Sequence, residues 1–184
     1  MLRALVDRAI GGDVDAFDAL VRATAGRSLE IACRILRDSD LAEDAVQASY
    51  ITAWRQLSRL RDPDRFEPWL HRILAHACFA EARRRARWAA EARVLPIDGA
   101  YGRDETLTVH DRDQLERAFL RLPPEQRAVL VFHHYLGLSV ADVADRLDIP
   151  FGTAKSRLHH GTAALRASLE ADARTPTRSQ ERLA

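Results

Sequence analysis

Apolar residues recur at intervals of three and four along most of the chain, and every segment with clear periodicity is helical. Val14, Phe17, Leu20 and Val21 form one such face after Gly11-Gly12, with Asp13 placed to cap the helix, and Leu29, Ala32, Cys33 and Leu36 continue it. The polar run Arg37-Asp38-Ser39-Asp40 closes this helix. A second helix carries Val46, Tyr50, Ala53 and Leu57, and Arg59 to Arg65, with Pro63, reads as a loop. A third carries Phe66, Leu70, Ile73, Leu74 and Ala77 and runs into a cluster of arginines. These three helices are expected to bury one shared core.

The pattern fades from about Trp88 to His110, where Pro96, Gly99 and Gly102 lie among polar residues. A stretch of about twenty residues is long for a loop inside one compact domain. The expected organisation is therefore all-α, with two small helical domains, 1–87 and 111–172, joined by a flexible linker, 88–110. The tail 173–184, ARTPTRSQERLA, is expected to be disordered.

In the second domain Leu115, Phe119 and Leu122 share a short helical face, and Pro123-Pro124 stands where a further helix can start. Glu125 to Leu136 is a strongly apolar helix stopped by Gly137. A compact helix pair follows. Ser139 and Asp142 have capping-box spacing, Val140, Val143, Ala144 and Leu147 face inward, and Asp148-Ile149-Pro150 supplies the turn. Ala144 is small enough for a second helix to cross closely. That second helix is expected to bury Phe151, Ala154, Leu158 and Leu165. Gly152, Lys155, Ser156, His159 and His160 are left on the opposite face. Such a face fits a DNA major groove: Lys155 can meet a base edge or a phosphate, Ser156 can donate or accept, and Thr153 at the helix start suits a phosphate.

Composition narrows the classes. A chain of 184 residues needs no covalent staple, and its two cysteines, Cys33 and Cys78, lie far apart without the spacing of a zinc site. No run of about 18 apolar residues occurs. The opening MLRALVDRAIGGD carries charges within its only short apolar stretch, so neither a membrane span nor a signal peptide is expected. A cytoplasmic protein is expected. Net charge is only +1, but its distribution is uneven. Asp13, Asp15, Asp18, Asp38, Asp40, Glu43 and Asp44 cluster early, and Arg72, Arg83, Arg84, Arg85, Arg87 and Arg93 cluster later. One acidic and one basic side are expected. Neighbouring helical residues such as His133 and His134 point about 100 degrees apart, so they do not chelate one ion easily. No nucleotide loop or nucleophile–base constellation is present, so no enzyme, metal, cofactor or small-molecule substrate is expected.

Two stretches of this chain resemble a known family. Leu122 to Leu169, LPPEQRAVLVFHHYLGLSVADVADRLDIPFGTAKSRLHHGTAALRASL, resembles region four of bacterial RNA polymerase sigma factors. Asp40 to Arg85, containing LAEDAVQASYITAW and FEPWLHRILAHACFAEARRR, resembles region two. Their order and spacing resemble the small extracytoplasmic-function (ECF) group, from about Gly12 to Leu169.

The resemblance implies a non-enzymatic initiation factor that binds core RNA polymerase and directs it to promoter DNA, with an anti-sigma factor as an expected further partner. Leu41, Glu43, Asp44, Gln47 and Trp54 would then dock on the polymerase. Arg61, Asp62, Arg65 and Phe66 of the loop, with Trp69, His76, Arg83 and Arg84 of the following helix, would open and read the minus-ten element. Thr153, Lys155, Ser156, Arg157, His159 and His160 would read the minus-thirty-five element, with Arg157 on a phosphate or a neighbouring carboxylate. The chain departs from the family pattern at His76, in place of asparagine, at Ala80, in place of aspartate, and at His160-Gly161, in place of Arg-Ala. With His160 on a phosphate in place of a fixed charge, promoter binding is expected to be tighter at pH 6 than at pH 8. Two other readings stay open. One is a conventional dimeric helix-turn-helix regulator; the other is a sigma mimic that binds an anti-sigma factor and has lost its DNA contacts.

Overall fold

The computed structural model describes residues 2–91 and 109–173, and every regular element among them is a helix. Helix α1, Leu2–Ile10, was not visible as an element in the sequence because Arg3, Asp7 and Arg8 interrupt it, yet it buries Val6 and Ala9. Asp13 caps α2, Val14–Leu36, by accepting the Ala16 N–H at 3.0 Å, and Arg8 grips the same carboxylate at 2.7 Å. Arg37 in the left-handed conformation ends α2, and Asp38 caps α3, Ser39–Gln56, through the Leu41 N–H. The predicted loop is there, tightened by two single turns, Leu57–Arg59 and Pro63–Arg65. The Asp62 carboxylate accepts the Asp64 N–H at 3.0 Å to start the second of them. Helix α4, Phe66–Glu91, continues past Trp88, into the stretch read as linker.

The second half begins with α5, Val109–Leu120, and α6, Pro124–Leu130. Helix α6 widens into a π-turn, Val131–Tyr135, before Gly137 reverses the chain at a φ of 68°. Helices α7, Val140–Leu147, and α8, Phe151–Ala173, complete the chain. The rest of the expected linker and the expected tail lie outside the described residues.

Two cores hold these helices. The first lies within the N-terminal domain and gathers Leu20, Tyr50, Leu57, Phe66 and Leu70, with the Tyr50 hydroxyl hydrogen bonded to Thr24 at 2.8 Å and Ser28 at 3.1 Å. The second joins the domains. Ile31 and Ile35 of α2 and Leu74 and Cys78 of α4 pack with Val129, Phe132, Val143 and Leu147 from the second half. Helices α2, α3 and α4 thus do not close this second core alone; they finish it against α6, the π-turn and α7.

Polar groups follow the same seam. The Arg127 guanidinium, buried, donates to the Leu36 carbonyl at 3.2 Å, and burial lowers its proton affinity. Tyr135 donates to Glu30, Arg34 lies 3.9 Å from the Tyr135 ring centre, and Arg37 pairs with Glu116. The expected acidic and basic sides also meet, since Arg84 of α4 binds Asp44 at 2.9 Å and Arg85 binds Asp38. Charge separated along the sequence is brought together where α3 lies beside α4.

Candidate nucleic-acid and polymerase interfaces

The helix-turn-helix is fixed by its own backbone chemistry. Ser139 Oγ accepts the Asp142 N–H at 3.1 Å, and the Asp142 carboxylate accepts the Ser139 N–H at 3.3 Å, a complete capping box. The Ser139 hydroxyl, donating to Asp142 at 2.6 Å, holds that carboxyl below its ordinary range. Asp148 stops α7 in the left-handed conformation, and the Ile149 N–H turns back to the Ala144 carbonyl at 3.0 Å. Pro150 accepts from the Thr153 and Ala154 N–H groups, so α8 starts at once.

Helix α8 buries Ala154 completely and presents Gly152, Lys155, Ser156, His159 and His160 to solvent. Thr153 and Arg157 are half-buried at the flank of this stripe. No acidic residue occurs in α8 before Glu170. Phe151 is not buried as the periodicity suggested; it is 54% exposed, because the first residue of α8 projects beyond the turn and meets no opposing helix. Leu115, on the short face expected with Phe119 and Leu122, is likewise exposed. Gly161 is no loose point in the helix. A β-carbon there would lie 3.1 Å from Leu130 Cδ1, so the missing side chain lets α8 press onto α6.

The proposed minus-ten residues separate into groups. Arg59, Arg61, Arg65 and Arg72 form the cationic rim of a cavity of about 250 Å³, with Pro68 and Trp69 as its apolar part and Asp145 and Arg146 of α7 at its far side. His76 and Arg83 are exposed on α4. Arg84 is held by Asp44 and, at 2.7 Å, by Glu81. Two expected site residues serve the loop itself. Phe66 is 1% exposed, its ring packed 6.1 Å from that of Trp69, so it supports the cavity and cannot touch a base. Asp62 spends its carboxylate on the Asp64 N–H.

On α3, Glu43, Asp44, Gln47 and Trp54 are exposed, and Leu41 is half-buried against the shared core. Trp54, 39% exposed, lies 4.9 Å from Phe17 between ring centres, which holds one side of the indole while the other faces solvent. Ile51, 47% exposed, continues this stripe; helical periodicity marks buried positions and gives no sign of an exposed isoleucine. His71 was missed for a different reason. It sits buried between the domains, accepting a hydrogen bond at Nδ1 from Arg146 at 2.9 Å, with Phe132 beside its ring at 5.8 Å. Burial, then the charges of Arg146 and Arg27, press its pKa down to about 4.

Among the described residues no cluster of His, Cys, Asp or Glu is placed to hold a metal ion, and no helix is long and apolar enough to cross a membrane. Cys78 is buried and its thiol is pushed up to about 12, while Cys33 is only half-buried.

Known proteins account for both halves. Sigma-70 region 2 matches residues 20–88, and Sigma-70 region 4 matches residues 112–165. The chain is 35% identical to the ECF RNA polymerase sigma factor SigM of Mycobacterium tuberculosis over 157 residues, covering 85% of this chain and 78% of the relative. It is 26% identical to SigW of Bacillus subtilis, covering 92% and 97%. Among solved structures, CnrH in complex with the cytosolic domain of CnrY superposes with a TM-score of 0.64 at 26% identity, covering 93% of this chain and 98% of that one. The sigma factor RpoE of Bartonella quintana, bound to the anti-sigma factor NepR, shares the fold with a TM-score of 0.67 at 23% identity, over 86% and 99% of the two chains. Taken with the helix-turn-helix and the arginine-rimmed cavity, these likenesses show that the chain belongs to the ECF group of sigma-70 family RNA polymerase sigma factors.

Proposed function

We propose that this chain binds core RNA polymerase and directs it to promoters, acting as a regulatory subunit without chemistry of its own. The observation that carries the reading is the conjunction of two surfaces on one chain. One is an acid-free recognition-helix face bearing Lys155, Ser156, His159 and His160. The other is a cationic cavity with an exposed α4 face beyond it.

In this reading α8 lies in the major groove of the minus-thirty-five element, with Lys155 and Ser156 towards base edges and Thr153 and Arg157 towards the flanking phosphates. The cavity beside Trp69 takes an unstacked base of the minus-ten strand, and Arg61, Arg65 and Arg83 hold the strand backbone. Phe66 and Asp62 hold the loop in shape for that capture. His76 faces the strand where the family usually has asparagine. The polymerase meets the stripe of α3 formed by Glu43, Gln47, Ile51 and Trp54. An anti-sigma factor is the further partner, in keeping with the complex in which RpoE of Bartonella quintana was solved.

Reconstituted transcription tests this. Purified chain and core polymerase on genomic promoter fragments are expected to give specific starts absent with core alone. No start on any fragment overturns the reading and favours a mimic that only engages an anti-sigma factor.

A further inference from the structure

Helix α7, the supporting helix of the helix-turn-helix, lies against the cationic rim of the minus-ten cavity. Its Asp145 pairs with Arg65, and Asp148, which ends it, lies 3.4 Å from Arg72. Through these two pairs both carboxylates face the same rim. Between them Arg146 is fixed by its hydrogen bond to His71 at 2.9 Å. The two guanidinium groups so occupied belong to the set that rims the cavity around Trp69. A carboxylate and a phosphate offer a guanidinium the same charge and the same paired acceptor oxygens.

What holds α7 in this place is apolar. Val143 and Leu147 are buried in the core that contains Leu74 and Cys78. The ion pairs above that core are largely exposed and contribute little to its stability. Their effect falls instead on the arginines, whose charge and donor groups they engage.

We propose that, in the free chain, the acidic edge of α7 stands in for DNA: Asp145 and Asp148 occupy the arginine sites that the minus-ten strand uses, and the strand gains them only when the helix-turn-helix moves away. The inference rests on the reading that Arg65 meets the strand backbone, and extends that reading to Arg72 on the same cavity rim. Geometry demands such a movement. The two promoter elements are named for positions about 25 base pairs apart, roughly 85 Å along the duplex. A compact chain of this length has a radius of gyration of only about 16 Å. One closed body does not reach both elements, so the contact of α7 with the cavity rim is broken in any complex that uses both. The same contact makes the free factor a poor binder of single strands, since apparent affinity falls with the fraction of chains in the competent form.

The test uses the full chain, a fluorescein-labelled single-stranded dodecamer of random sequence, and anisotropy at low ionic strength. Asp145→Asn with Asp148→Asn keeps shape, and asparagine tolerates the left-handed backbone at 148. This pair is expected to bind the dodecamer about fivefold more tightly than the parent, the release expected for two exposed ion pairs. Asp15→Asn with Asp18→Asn makes the same change in net charge on α2 and is expected to gain less than about twofold. An equal gain from both pairs overturns the inference, because only overall charge would then matter. Adding Arg65→Ala and Arg72→Ala to the Asp145/Asp148 variant is expected to abolish the gain. If strand binding survives that addition unchanged, the strand-contact reading itself fails, and the inference with it. If the addition weakens binding but the Asp145/Asp148 pair alone gave no gain, the reading stands and only the inference fails.

Discussion

A single missing β-carbon decides how closely the recognition helix approaches its support. Gly161 is buried against Leu130, whereas Gly26, in the middle of α2, has nothing within 4 Å of its would-be β-carbon. Gly26→Ala is therefore expected to stabilise the protein by about 0.5–1 kcal/mol in urea unfolding, the ordinary gain of alanine in a helix interior. Gly161→Ala is expected to give no such gain, and Gly161→Leu to cost more than about 2 kcal/mol through overpacking against a buried leucine. In the sequence Gly161 stands only as a departure from the family's alanine; propensity is local, and the reason for the glycine lies across the helix crossing.

His71 makes a second residue-scale case. Its pKa near 4 lies below the ordinary 6.5, so the folded protein prefers the neutral ring and the unfolded chain takes up the proton first as pH falls. The stabilisation is complete above pH 6.5 and is lost as pH drops towards 4. At pH 5 about 2 kcal/mol should be gone relative to pH 7, at 1.36 kcal/mol per pH unit. Guanidinium unfolding of the parent and of His71→Gln at both pH values checks this, and the variant should lack that component of the loss.

Among the elements, the helix-turn-helix was the most legible because each of its joints is written in local chemistry: a capping box at Ser139, a left-handed stop at Asp148 and a proline at position 150. Other elements were less so. Helix α1 was hidden by its charges, and the π-turn at Val131–Tyr135 leaves no mark in an apolar run. The inward placement of Phe151 failed because helical periodicity assumes a neighbour on the inner side, and the first residue of α8 has none. With α8 in the major groove as proposed, the exposed Phe151 ring is expected to meet thymine methyl groups. On a promoter recovered from the transcription assay, replacing minus-thirty-five thymines by uracil should weaken binding of the parent about fourfold per contacted methyl. The Phe151→Ala protein should be indifferent to that replacement, with its unfolding free energy changed by less than about 0.5 kcal/mol.

For the whole molecule, the sequence conveyed two domains but not their union. The residues that join them, such as Leu74 with Phe132 and Val143, lie on faces that periodicity correctly marked as apolar, yet nothing local says that the two faces meet each other. The same blindness made one acidic and one basic side out of charges that pair across α3 and α4. The α3 stripe lies away from this seam, and Ile51 and Trp54 keep their exposure there. Ile51→Asp is expected to leave unfolding nearly unchanged while weakening association with core polymerase at least tenfold in a pull-down or interferometry titration. Equal association would remove Ile51 from the docking surface.

The hydrogen bond from Arg127 to the Leu36 carbonyl spans 91 positions of sequence and ends on the last turn of α2, five residues before Leu41 in the expected polymerase-docking set. The last carbonyls of a helix lack partners of their own, so this one borrows its donor from the other half of the chain. Undocking that half returns the carbonyl to water and frees the α2–α3 junction to fray. Amide hydrogen exchange around Arg37 and Asp38 would thus act as a gauge of closure, slowing and quickening with events at the far end of the polypeptide.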